Sequence, residues 1–357
     1  MSKNNSDQNN VSIEEVQSLL STVNDPELHR DLVSLNMIRD VEIVDDHVAF
    51  TIVLTTPACP LKGKIEADTR AALANNPNIK DVTISWDSSV PQDRRISQQI
   101  DQKFKNTIAV SSGKGGVGKT TVAVNLAIGL ADSGASVGLL DADILGPNVP
   151  TMMGIKTMPA PRDRKLIPAE NYGVSYFSMA FLTKPDQPLV WRGPMLHSAI
   201  RQLLTDVDWG ELDYLVIDLP PGTGDAQLSL AQSIPLSGAV IVTQPMQVAI
   251  DDALRGLKMF EHLEVPIIGV IENMSGEFFG SGAGEALAIE YDVPYLGSVP
   301  LDAQVRIGGD SGKPIIVSNP ESPAAEAFRT ITQTIAARIS VLTLTNRPDL
   351  IPLQMVG

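Results

Sequence analysis

Residues 111–121 read SSGKGGVGKTT and carry the densest chemistry in the chain. Gly113 to Thr120 fits the pattern G-x-x-x-x-G-K-[ST] without a mismatch. Gly113, Gly115, Gly116 and Gly118 let the backbone curl, so that N–H groups around Val117 point inward at phosphate oxygens. Lys119 supplies a point charge to the β- and γ-phosphates, and the Thr120 hydroxyl suits Mg²⁺. Thr121 extends the loop into the next element. A second lysine, Lys114, lies inside the loop. From there it does not easily reach its own nucleotide. It would reach a nucleotide held by a second copy of the chain, and so act where no arginine has the spacing of a finger.

Three other stretches carry oxygen or amide groups beyond apolar runs, where an open α/β sheet places its ligands. In LLDADILGPNVP, residues 139–150, the carboxylates Asp141 and Asp143 suit the Mg²⁺ shell and the attacking water respectively. In YLVIDLPPGTGD, residues 214–225, an apolar run ends in Asp218, the Walker B arrangement in which the carboxylate holds a metal-bound water. The turn 220–224 that follows suits a sensor of the γ-phosphate. In IIGVIENM, residues 267–274, Asn273 is either a hydrogen-bonding partner of an adenine edge or an ordinary turn residue. The turn Pro300-Leu301-Asp302 offers the same two readings.

These groups need a frame. A strand at Thr107–Val110 and a helix from Val122 bracket the glycine loop. Further strands are expected at Ala135–Leu140, Tyr214–Ile217, Ala239–Thr243, Pro266–Ile271 and Tyr295–Val299, with helices at Val122–Ala131, Val248–Leu263 and Pro323–Arg338. The alternation predicts an α/β fold, a doubly wound and mostly parallel sheet. Before it, Ser12 and Glu15 have capping-box spacing, Ile38–Val44 and His47–Leu54 read as a hairpin, residues 61–75 as a helix and 82–86 as a strand. The expected organisation is a disordered tail over 1–10, a small α+β domain over 11–88, a linker over 89–105, a P-loop ATPase domain over 106–345 and an irregular tail over 346–357.

Composition narrows the function classes. A net charge of −15, from 27 basic and 42 acidic residues, argues against a nucleic-acid partner. No apolar run is long enough for a membrane span, and the tail TNRPDLIPLQMVG is a poor anchor. The first ten residues lack a signal-peptide core. The single cysteine, Cys59, permits no internal disulfide, in keeping with a cytoplasmic protein. Cys59 lies in TTPACP before a helix start. That position would lower its pKa and make it a transient metal ligand or a docking thiol; the other reading is a small buried residue in a tight loop. The four histidines are scattered.

GKGGVGKTT, with its two lysines, resembles the deviant Walker A loop of the MinD/ParA-type ATPases. Together with DADILGPNVP, WRGPM (Trp191–Met195), DLPPGTGD and IENMSG, it resembles the Mrp/ApbC branch of iron–sulfur cluster carriers. Asp25-Pro26-Glu27, Leu35-Asn36-Met37-Ile38 and Thr55–Pro60 resemble the small domain often fused to such ATPases. The resemblance implies a slow, Mg²⁺-dependent ATP hydrolase. It would work as a homodimer, with Lys114 crossing between subunits. An iron–sulfur cluster would be its cargo, and apoprotein clients or assembly factors its partners. A MinD/ParA-like positioning ATPase and an assembly factor that binds no cluster itself are the alternatives. The family's carriers place a C-x-x-C pair shortly after E-N-M-S. Here the segment reads ENMSGEFFGSGAGEALA, without cysteine.

Overall fold

The computed structural model describes residues 11–99, 104–143, 146–162, 165–182 and 193–345. The expected tails, and Trp191 and Arg192 of the WRGPM stretch, lie outside the described residues. The chain divides into two compact units, Met1–Val90 and Pro91–Gly357.

In the first unit α1 (Ile13–Leu20) opens on a complete capping box: Glu15 N–H donates to Ser12 Oγ, and Ser12 N–H donates to the Glu15 carboxylate. Its Val16 and Leu20 are buried. β1 (Ile38–Val44) and β2 (His47–Leu54) form the expected antiparallel hairpin, turning through Asp45 at φ +56°. After α2 (Lys62–Leu73), β3 (Asp81–Ser88) returns to pair parallel with β2. The core gathers Val16, Leu20, Leu32, Phe50, Ile52 and Leu73.

The expected linker is folded in part. α3 (Arg94–Gln99) occupies its middle, and β4 (Phe104–Ser111) begins inside it. The polar composition concealed two anchors. Asp93 caps the helix by accepting from Arg95 N–H, and Ile96 is wholly buried. Burying one isoleucine contributes about 2 kcal/mol.

From β4 the chain alternates. α4 (Lys119–Asp132), β5 (Val137–Asp141) and α5 (Val149–Met153) precede a short pair, β6 (Ala169–Asn171) and β7 (Val174–Ser178). Then follow α6 (Gly193–Asp206), β8 (Leu212–Asp218), α7 (Asp225–Ser233), β9 (Gly238–Thr243), α8 (Gln247–His262), β10 (Ile267–Ser275), α9 (Ala283–Glu290) and β11 (Tyr295–Pro300). Three helices finish the unit: α10 (Ala303–Asp310), α11 (Ile315–Ser318) and α12 (Pro323–Thr345).

One eight-stranded sheet runs β11-β10-β9-β4-β8-β5-β7-β6. Its pairs are parallel except β6 with β7. β5, β8 and β9 are almost wholly buried, because helices cover both faces; that is why they read as unbroken apolar runs. Side chains of α3, α6, α7, α8 and α9 share one core layer with the sheet, while α12 packs on α4 and β11. β6 and β7 were not foreseen. They are short, and their turn uses Tyr172 and Gly173 at φ +52° and +71°.

Candidate nucleotide site

Register builds the site. Asp218, the last residue of β8, is level with Val110 of β4 on one side and Asp141 of β5 on the other. The glycine loop leaves β4 immediately beyond, so loop and carboxylates meet at the carboxyl edge of the sheet.

The loop takes a shape that side chains would forbid. A Cβ on Gly113 would lie 1.8 Å from the Asp252 carbonyl oxygen of α8. Gly116 and Gly118 hold φ of +83° and +81°. Ser112 Oγ donates to the Lys114 carbonyl at 2.9 Å and closes the turn. Gly222 N–H donates to the Ser112 carbonyl at 3.0 Å, so the loop after Asp218 leans on the same turn.

Lys119 is 5% exposed and aims inward. Its Nζ donates to Asp218 Oδ1 at 2.5 Å and stands 3.9 Å from Asp143 Oδ2. Thr120 Oγ1 donates to Asp218 Oδ2 at 2.7 Å. Burial pushes the Asp218 carboxyl up, against the pull of Lys119 and Thr120. A cavity of about 510 Å³ opens above this group; Lys114, Thr121, Asp143, Asn273, Pro300 and Asp302 all line it. Most of the residues singled out in the sequence therefore share one wall.

Three of them also hold the local structure together. Asp141, expected at the metal, is wholly buried like Asp218, and neither is among the residues that line the cavity. The Asp141 carboxylate accepts from Asp143 N–H, Val149 N–H and Ser178 Oγ, at 3.2, 3.2 and 2.8 Å. Burial and the neighbouring Asp218 push its pKa up to about 8. It shapes the loop that presents Asp143, whose own carboxylate accepts from Gly146 N–H at 3.2 Å. Asn273, read as an adenine partner or a turn residue, donates through Nδ2 to the Val117 carbonyl at 2.9 Å and so holds the glycine loop. Asp302 caps α10 by accepting from Gln304 N–H at 2.7 Å.

Sequence reasoning missed Gln244. Its Nε2 reaches the Gly116 carbonyl at 3.4 Å and Met274 Sδ at 2.8 Å, joining β9, β10 and the loop. Its place just after β9 was the available signal. Met152 and Arg306, at the far side of the cavity, had none.

Residues 103–336 match the family model described as NUBPL iron-transfer P-loop NTPase, and residues 13–86 match an iron–sulfur cluster assembly protein domain. The chain belongs to this iron-transfer P-loop NTPase family. A relative from Synechocystis, named iron–sulfur cluster carrier protein, is 50% identical over 92% of this chain and 98% of its own. A nucleotide-binding protein from Archaeoglobus fulgidus, solved with ADP, aligns with TM-score 0.55 and 35% identity over 66% of this chain and 96% of its own. The cell-division ATPase MinD from Pyrococcus furiosus, at 24% identity, shares the fold over 64% of this chain and 98% of its own, with TM-score 0.54.

For an iron-transfer NTPase, the chain's thiol chemistry is sparse. Cys59 has two readings, an activated thiol or a small residue in a tight loop, and its surroundings disfavour the thiolate. The thiol is half-buried, and burial raises its pKa; Glu27 and Asp25 raise it further, outweighing the N–H groups of Leu61 and Lys62 at the start of α2. Among the described residues no group of three or more His, Cys, Asp or Glu is placed to hold a metal. No described helix is long and apolar enough to cross a membrane.

Proposed function

We propose that this chain is a Mg-ATP-driven switch that assists delivery of iron–sulfur clusters to apoproteins, acting as a pair of copies. The observation that carries this reading is the buried group of Lys119, Thr120 and Asp218 beneath a glycine cradle, in a chain of the iron-transfer family.

ATP and Mg²⁺ fit the residues present. The cradle admits no Cβ at Gly113, and Thr120 Oγ1 and Asp218 offer hard oxygen donors 2.7 Å apart. When bound, the metal neutralises charge on the phosphates. The loop N–H groups and Lys119 would hold the β- and γ-phosphates, Thr120 and Asp218 would hold the metal, and Asp143 would orient the attacking water. Lys114, half-buried on the loop, would complete the site of a second copy; among the described residues its ammonium has no ion-pair partner.

A cluster as cargo does not fit this chain's own thiols. A [4Fe–4S] cluster takes four thiolates, whereas the chain has one cysteine, with a raised pKa. We therefore read the cluster's ligands as supplied by the proteins between which it moves.

Anaerobic transfer of a cluster to an apoprotein tests this reading. Wild type should accelerate transfer with Mg-ATP. Lys119→Ala should lose the acceleration, with turnover down roughly 100-fold. Iron and acid-labile sulfide should stay well below one cluster per pair when the chain is reconstituted alone. Transfer indifferent to ATP sinks the proposal; a full cluster retained by the chain alone sinks its second half.

A further inference from the structure

The nucleotide cavity has a second wall, away from the glycine loop. Two helices build it: α5 supplies Thr151 and Met152, and α10 supplies Val305, Arg306 and Gly309. They meet closely because glycine faces the contact. A Cβ on Gly309 would lie 2.9 Å from Met152 Cε. Just past each helix, Gly154 and Gly312 touch backbone to backbone. A Cβ on Gly312 would lie 2.5 Å from Gly154 Cα, and one on Gly154 would lie 2.9 Å from the Gly312 carbonyl oxygen. Both glycines are left-handed, at φ +79° and +72°.

This contact is pinned from behind by the short pair β6 and β7 and their turn. Tyr172 Oη donates to the Gly312 carbonyl, Asn171 Nδ2 to the Met153 carbonyl and Tyr176 Oη to the Ile155 carbonyl, each at 2.7 Å. None of these three donors belongs to a residue that lines the cavity. The front end of α5 is held by the loop that carries Asp143. Val149 N–H donates to Asp141, Gly146 N–H donates to Asp143, and Asn148 Nδ2 donates to the Gly146 carbonyl at 2.8 Å. The helix has five residues, a rod of about 7.5 Å that is too short to bend. One end is therefore fixed at the second wall, and the other rests on the loop of Asp143.

Phosphates held at the glycine loop leave the base of a nucleotide to the second wall. Met152 and Val305 give that wall an apolar surface, and a thioether packs well against an aromatic ring. We propose that Met152 is a positioning residue: it takes the contact of the base, and α5, anchored at Gly154 and Gly312, carries that contact to Gly146 and sets Asp143 for the attacking water. Hydrolysis is thereby tied to a whole nucleotide rather than to any polyphosphate. This rests on the reading of Asp143 as the group that orients the water. The arrangement suits such a link, because the fixed end of α5 lies beside Met152 and the held end lies beside Asp143.

Hydrogen exchange and steady-state hydrolysis of the full chain test this. Saturating Mg-ADP should slow exchange over residues 146–153 by roughly fivefold or more, whereas saturating Mg-pyrophosphate, which has no base, should protect the glycine loop alone. Met152→Ala should abolish the effect of ADP over 146–153 and keep the protection of the glycine loop. At saturation, wild type should cleave Mg-tripolyphosphate roughly tenfold more slowly than Mg-ATP. Met152→Ala should lower kcat for ATP by roughly tenfold with KM changed less than about threefold, and Met152→Leu should restore most of the rate. Tyr172→Phe, which loosens the anchor from outside the cavity, should shift the ratio of the two rates in the same direction. A KM that rises while kcat holds would make Met152 a binding contact only, and equal losses with both substrates would make it a support of the fold; either overturns the inference. Equal protection of 146–153 by ADP and pyrophosphate does so too. A wild type that cleaves neither substrate, or an Asp143→Asn chain that hydrolyses ATP as wild type does, overturns the Asp143 reading and this one together.

Discussion

A Cβ at Gly118 would fall 2.2 Å from Asn273 Nδ2, and the backbone there is left-handed at φ +81°. Gly118→Ala therefore strains the loop and dislodges the asparagine that holds Val117, at a cost of about 1–3 kcal/mol. Nucleotide titration should show binding lost, and calorimetry a lower melting point. Gly115 is the internal control. The nearest atom to a Cβ there is Pro221 Cβ at 3.9 Å, and its φ is not positive. Gly115→Ala should change stability by less than about 0.5 kcal/mol. Cys59 makes a prediction about pH. Burial, Glu27 and Asp25 all penalise the thiolate, so the charged form gathers only above the ordinary thiol range. Alkylation by iodoacetamide at neutral pH should be slower in the folded chain than in urea, and its pH profile should rise later. A folded chain that reacts as fast as the unfolded one would restore the activated-thiol reading.

Elements explain which of these residues the sequence disclosed. The glycine loop, Asp143 and Asp218 were legible because each follows a strand whose burial on both faces leaves an unbroken apolar run. The α1 cap was legible because the Ser12 and Glu15 side chains each bond the other's backbone N–H, a purely local device. Replacing Ser12 by Ala should cost about 1 kcal/mol, read as a lower melting point of the small unit. What stayed hidden depended on contacts distant in sequence. Asp141 looks like Asp143 in the string, and only the folded chain, where Val149 N–H and Ser178 Oγ donate to it, shows that it faces inward. Ile96 is one apolar residue in a polar segment, yet it anchors a helix. Glu272 is another such case: a carboxylate at the end of an apolar strand that caps α9 instead of meeting a ligand. Glu272→Ala should leave the Gly282 and Gly284 N–H groups without that acceptor and cost about 2 kcal/mol. Hydrogen exchange should quicken across residues 276–284 and not in the small unit; uniform loss of protection would mean that the carboxylate supports the whole fold.

At the scale of the molecule, Lys114 lines its own chain's cavity, and the two-copy reading has it serve the nucleotide of the partner. Lys119 is buried against Asp218, whereas Lys114 stands on the loop with no carboxylate paired to it among the described residues. If each site borrows a lysine, the two lysines can be lost from different chains without losing every site. Lys114→Ala and Lys119→Ala should each be nearly inactive alone. Mixed, half the pairs contain one of each. In such a pair the Lys114→Ala chain keeps its own Lys119 and receives Lys114 from its partner, so one of the two sites is whole. Turnover of an equal mixture should therefore recover to about a quarter of wild type. The gain should vanish on dilution below the pairing constant, because a whole site then exists in no single chain. If the mixture shows only the sum of the two separate rates, the nucleotide is served within one chain and Lys114 acts on its own side of the loop.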